Sequence, residues 1–295
     1  LPFWNNGSSY VKDNKGAYYL YYKDKDGLKE ITSYDLYNDI YSFKLNKDHS
    51  KAIYTRARYD KNKVMELYED LILLDINTGK EKILIENSFS YFTASFIENK
   101  IIFVATDMKK GGINEDCFIY VCDYDGKYKK ITDKDFDMDF ANSLGTDVRF
   151  GSSNTFAVEN DRLYFVVTQK ETTKLYSIDI NGKLRKEIDE EVEDFAIKND
   201  QIYYLSMGTD SLSELRKKDL DKTLVKNKIE TKVSNIKTFE FESNGDTLTG
   251  FVLLPTNFDK SKKYPTILSV HGGPKTELGH IFHHEHQVFS NDGYI

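Results

Sequence analysis

Three segments of this chain share one plan. "LILLDINTGKEKIL" (71 to 84), "FIYVCDYDGKYKKI" (118 to 131) and "KLYSIDINGKLRKEI" (174 to 188) each run from an apolar strand through a polar tight turn into a second strand. Alternating apolar positions flank Asp125-Gly126 and Asn181-Gly182, dipeptides that accept positive φ, so the sequence predicts hairpins with two-residue turns there. A further strand after a polar turn precedes or follows each: "KGAYYLYYKD" (15 to 24), "DHSKAIYTRAR" (48 to 58), "ENKIIFVATD" (98 to 107), "NDRLYFVVTQ" (160 to 169) and "NDQIYYLSMG" (199 to 208). A chain built this way has little room for helices before residue 235.

Repeats of about 40 to 50 residues made of short strands are the mark of β-propeller blades rather than of a helical solenoid. Weaker copies at "LYYKDKDGLKEIT" (20 to 32) and "LRKKDLDKTL" (215 to 224) bring the tally to about five blade-like units. The competing arrangement is a sandwich or irregular all-β domain. Composition supports β structure in either case: 21 Tyr and 19 Phe against 4 Pro and one Trp suit pleated, half-buried surfaces.

Charge narrows the function. The chain carries 41 Lys and Arg against 48 Asp and Glu, a net charge of -7, with the signs interspersed. No basic footprint for nucleic acid or anionic lipid is present, and no apolar run reaches the length of a membrane helix. Cys117 and Cys122 lie five apart in "CFIYVC", on opposite faces of one strand, so no disulfide between them is expected and a reducing, cytoplasmic location is. No leader is read in "LPFWNNGSSY". An unclosed propeller exposes strand edges, which predicts self-association or closure through terminal strands.

The pattern changes near residue 235. "IKTFEFESNGDTLTGFVLLP" (236 to 255) alternates, turns at Asn244-Gly245-Asp246 and returns. A Lys-rich loop then leads to "TILSV", read as a buried strand, and to His271-Gly272-Gly273-Pro274. The tail "TELGHIFHHEHQVFSNDGYI" has helical apolar spacing and an Asn291-Asp292-Gly293 stop, with "GYI" as the opening of another strand. Two domains are therefore expected, a β-propeller over 1 to 235 and the first strands and helix of an α/β unit over 236 to 295.

Strand, His-Gly-Gly-Pro, loop, helix is the layout in which backbone amides reach a substrate with no Cβ in the way. The run "FEFESNGDTLTGFVLLPTNFDKSKKYPTILSVHGGP" resembles the entry to the catalytic α/β-hydrolase domain of the prolyl oligopeptidase family of serine peptidases, and is most similar to its acylaminoacyl-peptidase branch. One departure is the hairpin, Asn244-Gly245-Asp246 where the family tends to have Asp-Gly. The resemblance implies a hydrolase acting on short peptides by acyl transfer, with a propeller gating access and no cofactor. It makes the amides of Gly273 and Gly272 oxyanion donors, and His271 and Pro274 shapers of the loop.

The family's nucleophile sits in a G-x-S-x-G elbow, followed by Asp and His, and none of the three is found in this chain. The Gly-Ser pairs in "GSSYV" and "GSSNT" lack the second glycine. The chain is thus expected to hold the oxyanion half of a site and to be inactive alone. Two other readings stay open: a non-enzymatic propeller that binds a peptide or protein, and a hydrolase of small esters.

Five of the six His fall between 271 and 286. On a helix His280 and His284 would stand four apart, a zinc-compatible spacing, but the order is not H-E-x-x-H and no metal is expected. The acidic "DEEVED" (189 to 194) reads as a solvated edge rather than a trap for a peptide amino group.

Overall fold

The computed structural model describes residues 19–24, 27–33, 39–62, 64–133, 136, 138–149, 151, 153–273 and 275–295. In chain order the strands are β1 (Tyr19–Asp24), β2 (Gly27–Ser33), β3 (Ile40–Leu45), β4 (Lys51–Tyr59), β5 (Met65–Asp75), β6 (Glu81–Ile97), β7 (Lys100–Thr106), β8 (Phe118–Cys122), β9 (Tyr128–Lys130) and β10 (Asp139–Phe140). They continue with β11 (Phe156–Glu159), β12 (Arg162–Gln169), β13 (Thr172–Ile178), β14 (Leu184–Ile188), β15 (Asp194–Lys198), β16 (Gln201–Ser206), β17 (Glu214–Lys217), β18 (Ile236–Ser243) and β19 (Asp246–Leu253). One helix, α1 (His284–Asn291), follows. The protein is mainly β, as the repeats require.

Apart from β10, which pairs with β12, the strands pair with sequence neighbours. β1 and β2 form a hairpin, β3 to β9 a seven-stranded sheet in sequential order, β15 to β17 a three-stranded sheet and β18 with β19 a second hairpin. In the remaining sheet the order is β10-β12-β13-β14, with β11 also on β12. The seven-stranded sheet is two meanders sharing one strand. β6 pairs with β5 from Glu81 to Phe89 and with β7 from Ser90 to Ile97. Asn87, at φ 44°, bends the strand between the two partners, and its amide donates to Asp70 Oδ1 at 3.0 Å.

The chain packs as two compact units, one formed by 1–137 with 161–163 and 179–183, the other by 138–160, 164–178 and 184–295. In the first unit, opposite faces of the same strands fill two cores. Ile53, Leu71, Leu73, Phe89 and Phe103 lie in one, while Ala52, Tyr54, Ile72 and Leu74 lie in the other. Burial on both faces explains why "LILL" (71 to 74) is continuously apolar rather than alternating.

The turns differ from expectation in an instructive way. Asp125-Gly126 and Asn181-Gly182 do not form two-residue loops. Strand pairing ends at Cys122↔Tyr128 and Ile178↔Leu184, and Gly126 and Gly182 donate to Asp123 O and Asp179 O at 3.1 and 3.0 Å. The first-position aspartate decides this. Asp123 Oδ1 accepts the amides of Asp125 and Lys127, both at 2.9 Å, and Asp179 Oδ1 those of Asn181 and Lys183 at 2.9 and 3.0 Å. These bonds stabilise a type I turn followed by a left-handed glycine, the three-residue hairpin loop.

Two-residue turns with both central φ positive occur instead at Asn160-Asp161, Asn199-Asp200 and Asn244-Gly245. In the first unit a Cβ on Gly126 would sit 2.3 Å from Leu84 O, and one on Gly182 2.5 Å from Ile131 O. The loop glycines of the second and third of these repeats therefore each pack on the backbone of the preceding one.

The segment 236 to 295 carries the largest departure. β18 and β19 form the predicted hairpin in full register from Ile236↔Leu253 to Ser243↔Asp246, but Phe239, Phe241 and Leu248 are exposed. "TILSV" is extended and exposed rather than a buried strand, with Leu268 at 87% and Val270 at 80% exposure. A strand is buried only by neighbours, and among the described residues its backbone pairs with Ile295 alone. Ile267 N–H donates to Ile295 O at 2.8 Å and Ile295 N–H to Pro265 O at 3.0 Å. Bonds from one residue to positions on either side of Thr266 follow the parallel pattern.

Candidate functional site

The loop after this extended segment is governed by Gly273. Its φ is +148°, and an added Cβ would lie 2.7 Å from Thr276 N, 2.8 Å from Lys275 N and 2.8 Å from Thr276 Oγ1. Only glycine fits that turn without displacing backbone. Gly272 has open space where a Cβ would stand. Both glycines are exposed. Among the described residues neither amide has an acceptor. His271 is exposed as well, and its Nδ1 lies 3.2 Å from Gly272 O. Pro274 lies outside the described residues.

A second set of residues, invisible to motif reading, holds the far side of the loop. Glu277 N–H donates to Ser143 O at 2.9 Å and Gly145 N–H to Glu277 O at 2.8 Å, a parallel bridge between Leu144 and Glu277. Thr146 Oγ1 donates to Phe282 O at 2.7 Å. Leu144 is buried in a cluster with Met207, Ile281 and Phe282. Gly279 is buried, and a Cβ there would meet Glu171 O at 2.5 Å and both methyls of Leu144 at 3.0 Å. Burial, reinforced by Asp139, pushes the Glu277 carboxyl up, and His271 opposes the shift. The one advance signal was a glycine at 279 with no turn to justify it.

Helix α1 is anchored at both ends. Its first free amides, His284 and Glu285, donate to the two carboxylate oxygens of Asp147 at 2.7 and 2.8 Å, so a residue 137 positions away supplies the cap. Burial works against ionisation of Asp147, but these amides and nearby His283 outweigh it and hold the carboxyl below its usual range. Farther along, the buried Gln287 accepts from Ser234 N–H at 2.7 Å and donates to Ser234 O at 2.9 Å. Ser234 and Ser290 hydroxyls both donate to Leu254 O, at 2.7 and 2.9 Å, and lie against each other.

His280 and His284 do not share a helix face. α1 begins at His284, so His280 precedes the helix and the four-residue spacing places nothing on one face. The rings of His283 and His286 stack at 3.8 Å between centroids, and burial holds His286 below its ordinary pKa. Among the described residues no three His, Cys, Asp or Glu side chains gather as a metal site would need. In "DEEVED", Glu191 and Glu193 are turned into the fold. Met207 N–H donates to Glu191 at 2.9 Å, and Arg149 Nε lies 3.2 Å from Glu193 Oε1.

Several of the proteins this chain is similar to carry names of peptidases. The chain is 27% identical to the uncharacterized peptidase YuxL of Bacillus subtilis over 151 residues, 46% of this chain and 22% of that protein. It is 26% identical to dipeptidyl-peptidase 5 of Porphyromonas endodontalis over 147 residues, 45% of this chain and 21% of that one. A shorter stretch of 42 residues is 50% identical to dipeptidyl-peptidase 5 of Aspergillus fumigatus, covering 14% of this chain and 6% of the fungal protein.

Among solved structures, the acylaminoacyl peptidase of Pyrococcus horikoshii superposes with a TM-score of 0.68 at 22% identity, over 92% of this chain and 41% of its own. A puromycin-hydrolysing peptidase of Mycobacterium tuberculosis does so with a TM-score of 0.64 at 14% identity, over 92% and 42%. No family model matches the sequence.

The fold is thus one shared with peptidases, and the chain spans less than half the length of the proteins it matches. The relatives and structural neighbours bear out the resemblance to the prolyl oligopeptidase family, at the level of hydrolase and peptidase. No helix among the described residues is long and apolar enough to cross a membrane.

Proposed function

We propose that this chain belongs to a serine-type peptidase that hydrolyses short peptides by acyl transfer, acting as an acylaminoacyl-, dipeptidyl- or oligopeptidase. In this reading, residues 1 to 235 are β-propeller and gate access, and residues 236 to 295 open the α/β-hydrolase domain. The amides of Gly273 and Gly272 are the oxyanion donors. They stabilise the negative charge that grows on the scissile carbonyl oxygen as the nucleophile attacks. His271 and Pro274 set the path of the loop. The nucleophile, acid and base are supplied by sequence other than this chain, which is inactive by itself.

The observation that carries the proposal is the pair of exposed glycines whose amides have no acceptor among the described residues, the second in a conformation that excludes a side chain. The supporting context is parallel. An extended segment precedes the loop, α1 follows it, and Ile295 returns beside Thr266 with the bonding of a parallel pair, the order of a β-loop-α-β crossover.

The test uses the longer protein containing this chain. Hydrolysis of acyl-aminoacyl or dipeptidyl substrates should be abolished by a fluorophosphonate that labels one serine, and the 295-residue chain should neither hydrolyse nor be labelled. Replacing Gly273 with Ala should lower kcat by about 10²-fold or more, in line with loss of an oxyanion donor. Activity that survives the fluorophosphonate with no serine labelled refutes the proposal.

A further inference from the structure

We infer that the segment Ser143 to Asp147 is a cradle that fixes the His271 to Gly273 loop, with Gly279 as the positioning residue that seats the loop in it. The inference rests on the oxyanion reading for its catalytic meaning, but its geometry stands apart from that reading.

The two stretches run side by side. Ser143 and Gly145 bracket Glu277 by two backbone hydrogen bonds, Thr146 holds Phe282 O, and Asp147 holds the amides of His284 and Glu285. Five bonds over nine residues make this a register rather than an incidental touch. They are possible only because the chain at 279 lies against Glu171 O and the Leu144 methyls, at a separation that leaves no room for a Cβ. His280 N–H, next in sequence, points at the same Glu171 oxygen at 3.4 Å.

The cradle reaches the candidate donors through a short path. Glu277 is four residues from Gly273, and Gly273 itself is packed on Thr276 so closely that its missing Cβ would fall 2.7 Å from the Thr276 nitrogen. Thr276 in turn lies beside Gly145, whose Cβ would stand 3.3 Å from Thr276 Cγ2. A displacement at 277 or 279 therefore cannot stop before Gly273. Loop amides aimed at a developing charge lose much of their worth when displaced by about 1 Å, so the cradle would set catalytic rate without touching substrate.

Two variants test this in the 295-residue chain: Gly279→Ala, which forces the chain away from Glu171, and Leu144→Ala, which empties the support under Gly279. Amide exchange at Gly145 and Glu277 reports whether the cradle has opened, and 15N relaxation at Gly272 and Gly273 reports the loop. We expect faster exchange at 145 and 277, and order parameters at 272 and 273 falling from about 0.8 to below about 0.6. Unchanged order parameters with an open cradle overturn the inference. So does a Gly279→Ala variant whose cradle stays closed. Should Gly279→Ala fail to fold, Thr146→Val, which removes one bond, answers the same question by the same two readouts.

In the longer enzyme the same substitutions should lower kcat/KM and weaken a peptidyl aldehyde, whose adduct carries an oxyanion, by matching factors, with KM little changed. A fall in active-site number without that match would mark a merely structural effect and refute the positioning role. If the longer protein hydrolyses nothing, the functional reading fails while the relaxation experiment still decides the cradle.

Discussion

Gln287 offers a quantitative test of how the segment beyond residue 235 is held. Its amide reproduces for Ser234 what a neighbouring strand would supply, accepting from the N–H and donating to the C=O, with both residues about 95% buried. Gln287→Ala deletes both partners and leaves two backbone groups in a site where water does not reach. Orphaning a buried polar group costs about 1–3 kcal/mol, so two cost about 2–6 kcal/mol, before any loss from the vacated volume. We expect about 4 kcal/mol.

Urea denaturation measures the loss, and hydrogen exchange at Ser234 and along α1 identifies the region that opens. The exchange readout matters because a chain of two compact units need not unfold in a single step. Gln287→Glu sharpens the test. A protonated carboxylic acid can restore both bonds, whereas the carboxylate sets acceptor against acceptor at Ser234 O, so the native state favours the proton and the folded pKa is raised. The variant's stability should then be highest below the unfolded glutamate value and fall as pH rises through the folded one. An alanine variant that loses less than about 1 kcal/mol, or a glutamate variant indifferent to pH, refutes the assignment of Gln287 as a surrogate strand.

Other expectations follow from the same geometry. Gly126→Ala and Gly182→Ala should each destabilise by roughly 3 kcal/mol, since left-handed φ is joined by a Cβ pressed on Leu84 O or Ile131 O. Gly245→Ala, with positive φ but open space, should cost only about 1 kcal/mol by the same chemical denaturation, and equal losses would disprove the packing argument. Asp147→Ala should cost about 1 kcal/mol and speed amide exchange at His284 and Glu285, the two amides it caps. Burial, opposed by the Met207 amide and reinforced by Glu193, pushes Glu191 up to about 7. Its contribution is complete below the unfolded glutamate pKa and is lost as pH rises through about 7, with a slope of up to about 1.4 kcal/mol per pH unit. Glu191→Gln should flatten stability between pH 5 and 8, which thermal melts across that range will show.

Much of this architecture is legible in the chain because strand pairing here is local. Each apolar run in the repeats became a strand paired to its sequence neighbour, and the hairpin expected to turn at Asn244-Gly245-Asp246 formed about Asn244-Gly245. The turn chemistry at Asp125-Gly126 differs because the dipeptide alone does not reveal that Asp123 accepts the amides two and four residues after it. The strand "TILSV" was misread for a different reason. An apolar run becomes a buried strand only where partners cover it, and among the described residues only Ile295 meets this one. Gly272 and Gly273 were visible as a motif, but the cradle at 143 to 147 was not, since nothing in "NSLGTD" announces a partner some 130 residues away.

By itself the sequence determined that this protein is mainly β, that its strands follow one another through tight turns, and that a glycine loop ends the segment after residue 263. Those are consequences of periodicity and of local dihedral preference, which a few neighbouring residues settle. Tertiary structure alone decided that Asp147 caps a helix 137 residues away, that Gln287 stands in for a strand at Ser234, and that Gly279 must lack a side chain. Each is a matter of which backbone groups are left unpaired once the elements meet, and that depends on positions far apart in the chain.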